Sequence, residues 1–189
     1  MQEYPAGGFP RQRSFVERMI GAALLDVSVY EEVEHDRSAT GQAAGVVAIV
    51  AVCAAIGSWG SGDTKGPIAA IVSALLGWVI MAALTYVIGT KVFGGTADMG
   101  EMLRTLGFSR APGVIAAIGF IPLLGWIALF AAWVWQLVTA VVAIRQALDF
   151  DTPKAVATAI LAWLVVMAVT FGIMMMFGAA MVVGGALTR

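Results

Sequence analysis

The chain has 189 residues, of which 60% are hydrophobic and only 12% are charged. A soluble domain carries about 25% charged residues, so this composition excludes an ordinary soluble globular protein and predicts a polytopic membrane protein. The net charge of −1 indicates no nucleic-acid partner, and the single cysteine, Cys53, excludes an internal disulfide.

The first forty residues are polar enough to lie outside the hydrophobic layer. Residues 1–13 predict a flexible cytoplasmic tail, and a capping-box pattern starting at residue 14 would begin a helix. At helical spacing Val16 belongs to an apolar arc, with Arg18 on the opposite side. We therefore predict one amphipathic interfacial helix over 14–36, lying on the membrane surface or against the bundle. The acidic residues at its end favour solvent or a protein partner over anionic lipid headgroups.

Five apolar segments are predicted to cross the membrane and to form one all-α transmembrane domain over 41–187. A full crossing of the hydrocarbon core, about 30 Å thick, takes about 20 helical residues. The predicted spans are 41–57, 67–90, 111–121, 126–147 and 155–177.

The uncharged block from Ala111 to Ile144 decides this count. Its thirty-four residues would make one helix of about 50 Å, which is too long for one span and too short for two full spans. Pro122 lies between two glycines, a combination that breaks helices. We therefore predict a hairpin of two helices, the first of which is short. The alternative, one unbroken helix, would give four spans in total.

Two polar connectors are predicted to lie on the same side of the bundle. In the connector 93–110, methionines and leucines recur at helical spacing, which predicts a short amphipathic helix. Thr152 and Pro153 are a suitable cap and first residue for the last helix. That helix has no charged residue from 155 to 188, so it either tilts or breaks near 178–185.

The distribution of Lys and Arg predicts the orientation. In the five-span topology nine of them fall on the side of the N-terminus and two, Lys65 and Arg189, on the other side. Because positive charge is retained in the cytoplasm, we predict a cytoplasmic N-terminus and a C-terminus on the opposite side of the cell membrane. The four-span topology would give a less asymmetric split, eight against three.

The predicted spans contain no ionisable residue, which argues against a proton- or ion-coupled transporter. Their strongest polar groups are Gln136 and Thr139, which we expect to make hydrogen bonds between helices. His35 is the only histidine and has no cysteine cluster near it, so we expect no metal site. No catalytic motif is present, and we therefore expect neither an enzyme nor a cofactor.

The polar side chains of the two connectors form the candidate interaction surface. Its cations could equally be membrane anchors that contact lipid headgroups. The candidate residues are Asp98, Glu101, Arg104, Gly107, Phe108, Arg110, Asp149, Asp151 and Lys154.

From Phe15 to Gly178 the chain resembles the Yip domain family of Ypt/Rab-interacting multispanning membrane proteins, in its prokaryotic form. Gly107-Phe108-Ser109 is similar to the Gly-Tyr-Ser of the family, and the stretch from Ile121 to Trp126 and the entry into the last helix are also similar. The Asp-Leu-Tyr-Gly-Pro segment of the eukaryotic members is absent. The resemblance implies five spans and a cytoplasmic N-terminus, with roles in membrane traffic and organelle shape among the eukaryotic relatives.

Three functions follow as hypotheses. The first is a non-enzymatic interaction or scaffold protein, or a membrane-organisation subunit, that acts through its cytoplasmic face. The second is a lipid-handling protein, such as a scramblase or an envelope-lipid factor. The third, ranked last because no span carries a polar stripe, is a small-solute permease. The expected partners are membrane lipids and another membrane or peripheral protein, with a second copy of the chain as an alternative.

Overall fold

The computed structural model describes residues 12–58 and 66–187, with side chains to residue 176. Most of the predicted tail and the connection 59–65 therefore lie outside the described residues. Within them the fold is all-α and contains no strand, which confirms the predicted class. The elements are α1 (Phe15–Ala23), α2 (Val27–His35), α3 (Ala39–Gly57), α4 (Pro67–Lys91), α5 (Met99–Phe108), the 3₁₀ helix η1 (Ala111–Ile118), α6 (Leu124–Ala147) and α7 (Thr152–Leu187).

The prediction of one helix over 14–36 is wrong, because the chain turns between α1 and α2. Leu25 adopts a left-handed conformation with φ 64°. The Asp26 carboxylate then caps α2 by accepting from the Ser28 amide at 3.0 Å. The Tyr30 hydroxyl donates to the Ala22 carbonyl at 3.0 Å and closes the pair of helices.

The orientation of α1 also differs from the prediction. Arg18, expected on the outer polar face, is fully buried. The apolar Val16, Ile20 and Leu24 face outward and are 55–67% exposed. The acceptors that turn Arg18 inward come from α2 and α3, which a pattern within α1 alone does not reveal.

Four helices in the described part of the chain are long and apolar enough to cross a membrane. The fifth span is not confirmed, because residues 111–118 form a 3₁₀ helix of eight residues, about 16 Å long. Of the two alternatives for the last helix, the break near 178–185 is absent from the described backbone, where α7 continues to Leu187. The four candidate spans are Ala39–Gly57, Pro67–Lys91, Leu124–Ala147 and Thr152–Met176.

The segment from Gly107 to Gly119 nevertheless runs beside α3 over most of its length. Its glycines pack against successively later residues of α3, so the two segments are parallel. A 3₁₀ helix rises about 2.0 Å per residue, whereas an α-helix rises about 1.5 Å. The segment from Gly107 to Gly119 can therefore extend along about 21 Å of α3 although it has fewer residues than the facing part of that helix. The contacting pairs are Gly107–Ala43, Gly113–Val50 and Gly119–Gly57.

Helix α6 then returns antiparallel to this segment. Gly125 packs against the Gly119 backbone, and farther along α6 the Thr139 hydroxyl donates to the Ser109 carbonyl at 2.8 Å. This hydrogen bond between neighbouring segments is of the kind predicted for Thr139. The Trp135 indole donates to the Ala23 carbonyl at 2.7 Å and ties α1 to the bundle.

The best-packed core lies at one end of the bundle, which we call the polar end. There α1, α2 and α5 pack against α3, α4 and α6 around buried side chains such as Tyr30, Met102 and Phe108. Away from it the long helices expose large apolar residues, including Trp126 at 82%. Such a belt is suited to contact with lipid acyl chains.

Candidate functional site

A buried ion network organises the polar end. The Arg18 guanidinium donates to Asp36 Oδ2 at 2.7 Å, to Glu32 Oε1 at 3.0 Å and to Gln42 Oε1 at 3.0 Å. These partners belong to α2, to the residue that follows it, and to the start of α3. The network therefore joins the first three helices through one cation.

The same carboxylates also contact the chain that precedes α1. Arg13 donates to Glu32 Oε2 at 2.9 Å and to the Ser28 hydroxyl at 2.8 Å. The hydrogen bond from the Ser38 hydroxyl, followed by that from Arg18, lowers the pKa of Asp36 below its usual value although burial opposes this shift. Burial would lower the pKa of Arg18, but the hydrogen bonds with Asp36 and Glu32 raise it overall.

Arg104, predicted to belong to the interaction surface, is only 5% exposed. Its Nε donates to the carbonyls of Val33 at 2.9 Å and Glu34 at 3.0 Å, and its Nη2 also donates to Glu34. A cation at this position satisfies the free carbonyls at the end of α2 and complements the helix dipole. Arg104 therefore has a structural role in joining α5 to α2.

Gly107 and Phe108 are also buried at the polar end. A side chain at Gly107 would meet Ala43 of α3, so the glycine allows α5 to approach that helix closely. The Phe108 ring lies 6.4 Å from the Phe15 ring at an angle of 60° and is fully buried. The similarity at Gly107-Phe108-Ser109 therefore falls on a packing interface.

Three of the four acidic candidates lie at the start of helices, and all four are at least partly exposed. Asp98 and Glu101 form a reciprocal capping box at α5, with both hydrogen bonds at 2.7 Å. Asp149 accepts from the Thr96 hydroxyl at 2.8 Å. Asp151, directly before α7, accepts from the Lys154 amide in the first turn of that helix at 3.1 Å.

At the polar end the charges of two carboxylates from distant parts of the sequence, Glu101 and Asp149, act on Glu34. Glu34 is half-buried, and burial raises its pKa to about 7, with the charges of Glu101 and Asp149 adding to the shift and those of His35 and Arg104 opposing it. None of the three carboxylates forms an ion pair with another described residue. We call Glu34, Glu101 and Asp149 the acidic face. The sequence-based candidate surface did not include Glu34. This residue lies far from the two connectors in the sequence, and only the folding of α2 against α5 brings it near them.

A cleft of about 920 Å³ opens between α3, α4, α6 and α7. Its lining is largely apolar, and Arg110 and Gln136 contribute polar groups to it. The Gln136 amide packs against Gly113, but the structure places it at the cleft without the predicted hydrogen bond to another helix in the described part of the chain. Lys154 lies elsewhere, with its ammonium 5.7 Å from the Phe150 ring centroid.

Comparison with known proteins gives one family. The model of the Yip1 domain matches residues 27–185, which covers most of the chain and includes α2 through almost all of α7. No curated protein and no solved structure matches the chain.

Proposed function

Because the chain belongs to the Yip1 domain family, we propose that it is a non-enzymatic, multi-pass protein of the cell membrane that binds another protein through the acidic face. The observation that carries the proposal is that Glu101 and Asp149 act on the charge of Glu34, whose pKa stays raised although His35 and Arg104 oppose the shift. Holding like charges together costs free energy unless a cation compensates them. A partner with a Lys- or Arg-rich surface supplies that compensation.

The proposed partner is a membrane or peripheral protein rather than the lipid surface. Anionic headgroups repel a cluster of carboxylates, whereas a basic protein surface is attracted to it and steered towards it. Glu34 lies in α2, Glu101 belongs to the capping box of α5, and Asp149 accepts a hydrogen bond from Thr96. The face is thus held in a fixed geometry.

We further propose that the chain crosses the membrane five times, with the N-terminus in the cytoplasm and the C-terminus outside. The parallel path of Gly107–Gly119 beside α3 supports a short third crossing. It also retains the nine-to-two asymmetry of positive charges. Accessibility tags at both termini of intact cells test this arrangement; two termini accessible from the same compartment would refute it.

Zero-length crosslinking of carboxylates to lysines in native membranes tests the docking proposal. The wild-type chain is expected to yield a stoichiometric partner whose crosslinks map to Glu34, Glu101 or Asp149. Glu34→Gln combined with Asp149→Asn should remove that crosslinked product. The control Asp63→Asn, in the connection between α3 and α4, should retain it. Recovery of the bare chain alone, with no crosslinks at the acidic face, would reject the proposal.

Lipid handling is a second candidate, favoured by the cleft between the long helices. Its test is the transfer of labelled lipid between leaflets of liposomes that contain the purified chain. Transfer no faster than in protein-free liposomes would eliminate this activity.

A further inference from the structure

Arg110 is partly exposed, and it differs from the two buried arginines in having no described hydrogen-bond partner for its side chain. Arg18 donates to three side chains, and Arg104 donates to two backbone carbonyls. In the described part of the chain no hydrogen bond or ion pair involves the Arg110 side chain, although it lines an apolar cleft. A cation in apolar surroundings is costly unless an anion compensates it.

Arg110 lies at the end of the cleft that is nearer to the polar end. It follows Gly107 and precedes Gly113, which pack beside Ala43 and Val50 of α3. The lining residues of α6 run from Ile144 to Trp133, a distance of about 16 Å at 1.5 Å per residue, and the Ser109 carbonyl, just before Arg110, accepts from Thr139 within this stretch. A charged group beside an elongated apolar channel matches the two parts of a lipid.

We propose that this cleft binds one anionic phospholipid, with its phosphate on Arg110 and its acyl chains between α4 and α7. A guanidinium pairs with phosphate through two parallel hydrogen bonds, and the Gln136 amide is a further donor on the same wall. A volume of about 920 Å³ lies within the range of pockets that bind small apolar ligands. An anionic headgroup is preferred to a zwitterionic one because its phosphate is not paired with a cation of its own. The inference does not depend on the docking proposal or on lipid transfer.

The test measures binding of phosphatidylglycerol to the purified full-length chain by native mass spectrometry and thermal stabilisation. One phosphatidylglycerol per chain is expected, with at least tenfold weaker binding of phosphatidylcholine. Arg110→Gln should weaken phosphatidylglycerol binding at least tenfold. The control Arg37→Gln removes an exposed positive charge near the start of α3 and should leave the affinity unchanged.

A second variant tests the apolar part of the cleft while retaining Arg110. A β-carbon at Gly77, which lines the cleft, would meet no atom within 4 Å. Gly77→Leu should therefore fill the cleft without disrupting the fold and should also weaken lipid binding. Gly172 has equally open surroundings outside the cleft, so Gly172→Leu should bind as the wild type does.

Three outcomes would overturn the proposal. They are equal phosphatidylglycerol binding by the wild type and Arg110→Gln, equal binding of the two lipids, and full binding by Gly77→Leu. In a further experiment, thermal stabilisation is measured with inorganic phosphate in place of lipid. Stabilisation by phosphate equal to that by the lipid would identify a simple anion site instead. The lipid-binding results do not depend on whether a crosslinked protein partner is found. The two tests can therefore fail independently, one for the cleft and one for the acidic face.

Discussion

Arg18 Nη2 lies 2.7 Å from Asp36 Oδ2, and the Arg18 side chain is almost completely withdrawn from solvent. This contact connects the first helix to the residue that links α2 with α3. It explains why α1 turns a charged residue inward and apolar residues outward. An outward apolar face is favourable where lipid rather than water surrounds the helix.

Arg18→Met is expected to destabilise the fold by about 3–5 kcal/mol, because it leaves Glu32 and Asp36 without their buried cation. The free energy of unfolding in mild detergent, measured by titration with a denaturing detergent, checks this value. Arg37→Met is the matched control, since Arg37 is exposed, and should change stability little. An equal effect of the two substitutions would contradict the role of the network.

Glu34 gives the fold a specific dependence on pH. Its pKa is raised from 4.5 to about 7 by burial and by neighbouring carboxylates, so the folded state binds the proton more tightly than the unfolded chain does. The resulting stabilisation is complete below pH 4.5 and is lost as the pH rises through about 7. Glu34→Gln should therefore flatten the stability profile and be more stable than the wild type at pH 8.

Unfolding measured at several pH values between 4.5 and 8 provides the comparison for Glu34. Glu31→Gln, an exposed position on the same helix, is the control and should keep the wild-type profile. Parallel profiles for the wild type and Glu34→Gln would show that Glu34 does not titrate in this interval.

The long helices could be predicted from the sequence because composition alone specifies them. The observed limits of α3, α4 and α6 lie within two residues of the predicted spans. The break between α1 and α2 could not be predicted from apolar spacing, which continues beyond the turn to Val27 and Tyr30. Asp26 at the edge of the apolar arc was the one local signal, since a carboxylate there can cap a new helix.

The candidate site was predictable in its location but not in the role of each side chain. The distribution of charge along the chain predicted that the polar connectors share one side, and a hydrogen bond between Thr96 and Asp149 joins the two connectors. The charge distribution did not distinguish Arg104, which caps α2, from Arg110, which lines the cleft. That difference depends on contacts between residues about seventy positions apart, which no local pattern contains.

Gly57→Ala tests the path of the 3₁₀ segment. A β-carbon at Gly57 would collide with the Ala116 carbonyl oxygen, and this atom belongs to a backbone that has little freedom to move. We expect a loss of about 1–3 kcal/mol in the free energy of unfolding, as for other overpacked sites. Gly172→Ala, with open surroundings, should instead be neutral or stabilising by up to about 1 kcal/mol. Unchanged stability of Gly57→Ala would show that α3 and η1 are not in close contact.

Arg104→Met tests whether this residue acts in the structure or at the surface. The substitution keeps an unbranched apolar side chain but removes the donors to the Val33 and Glu34 carbonyls. Since hydrogen bonds from charged groups contribute about 1.5–3 kcal/mol, we expect a loss of about 2–3 kcal/mol and faster amide hydrogen exchange in the last turn of α2. Arg145→Met is the control, because the Arg145 side chain bonds only to the neighbouring Gln146 among the described residues. A purely surface role for Arg104 predicts weaker partner crosslinking with unchanged exchange in α2, so the exchange rates decide between the two roles.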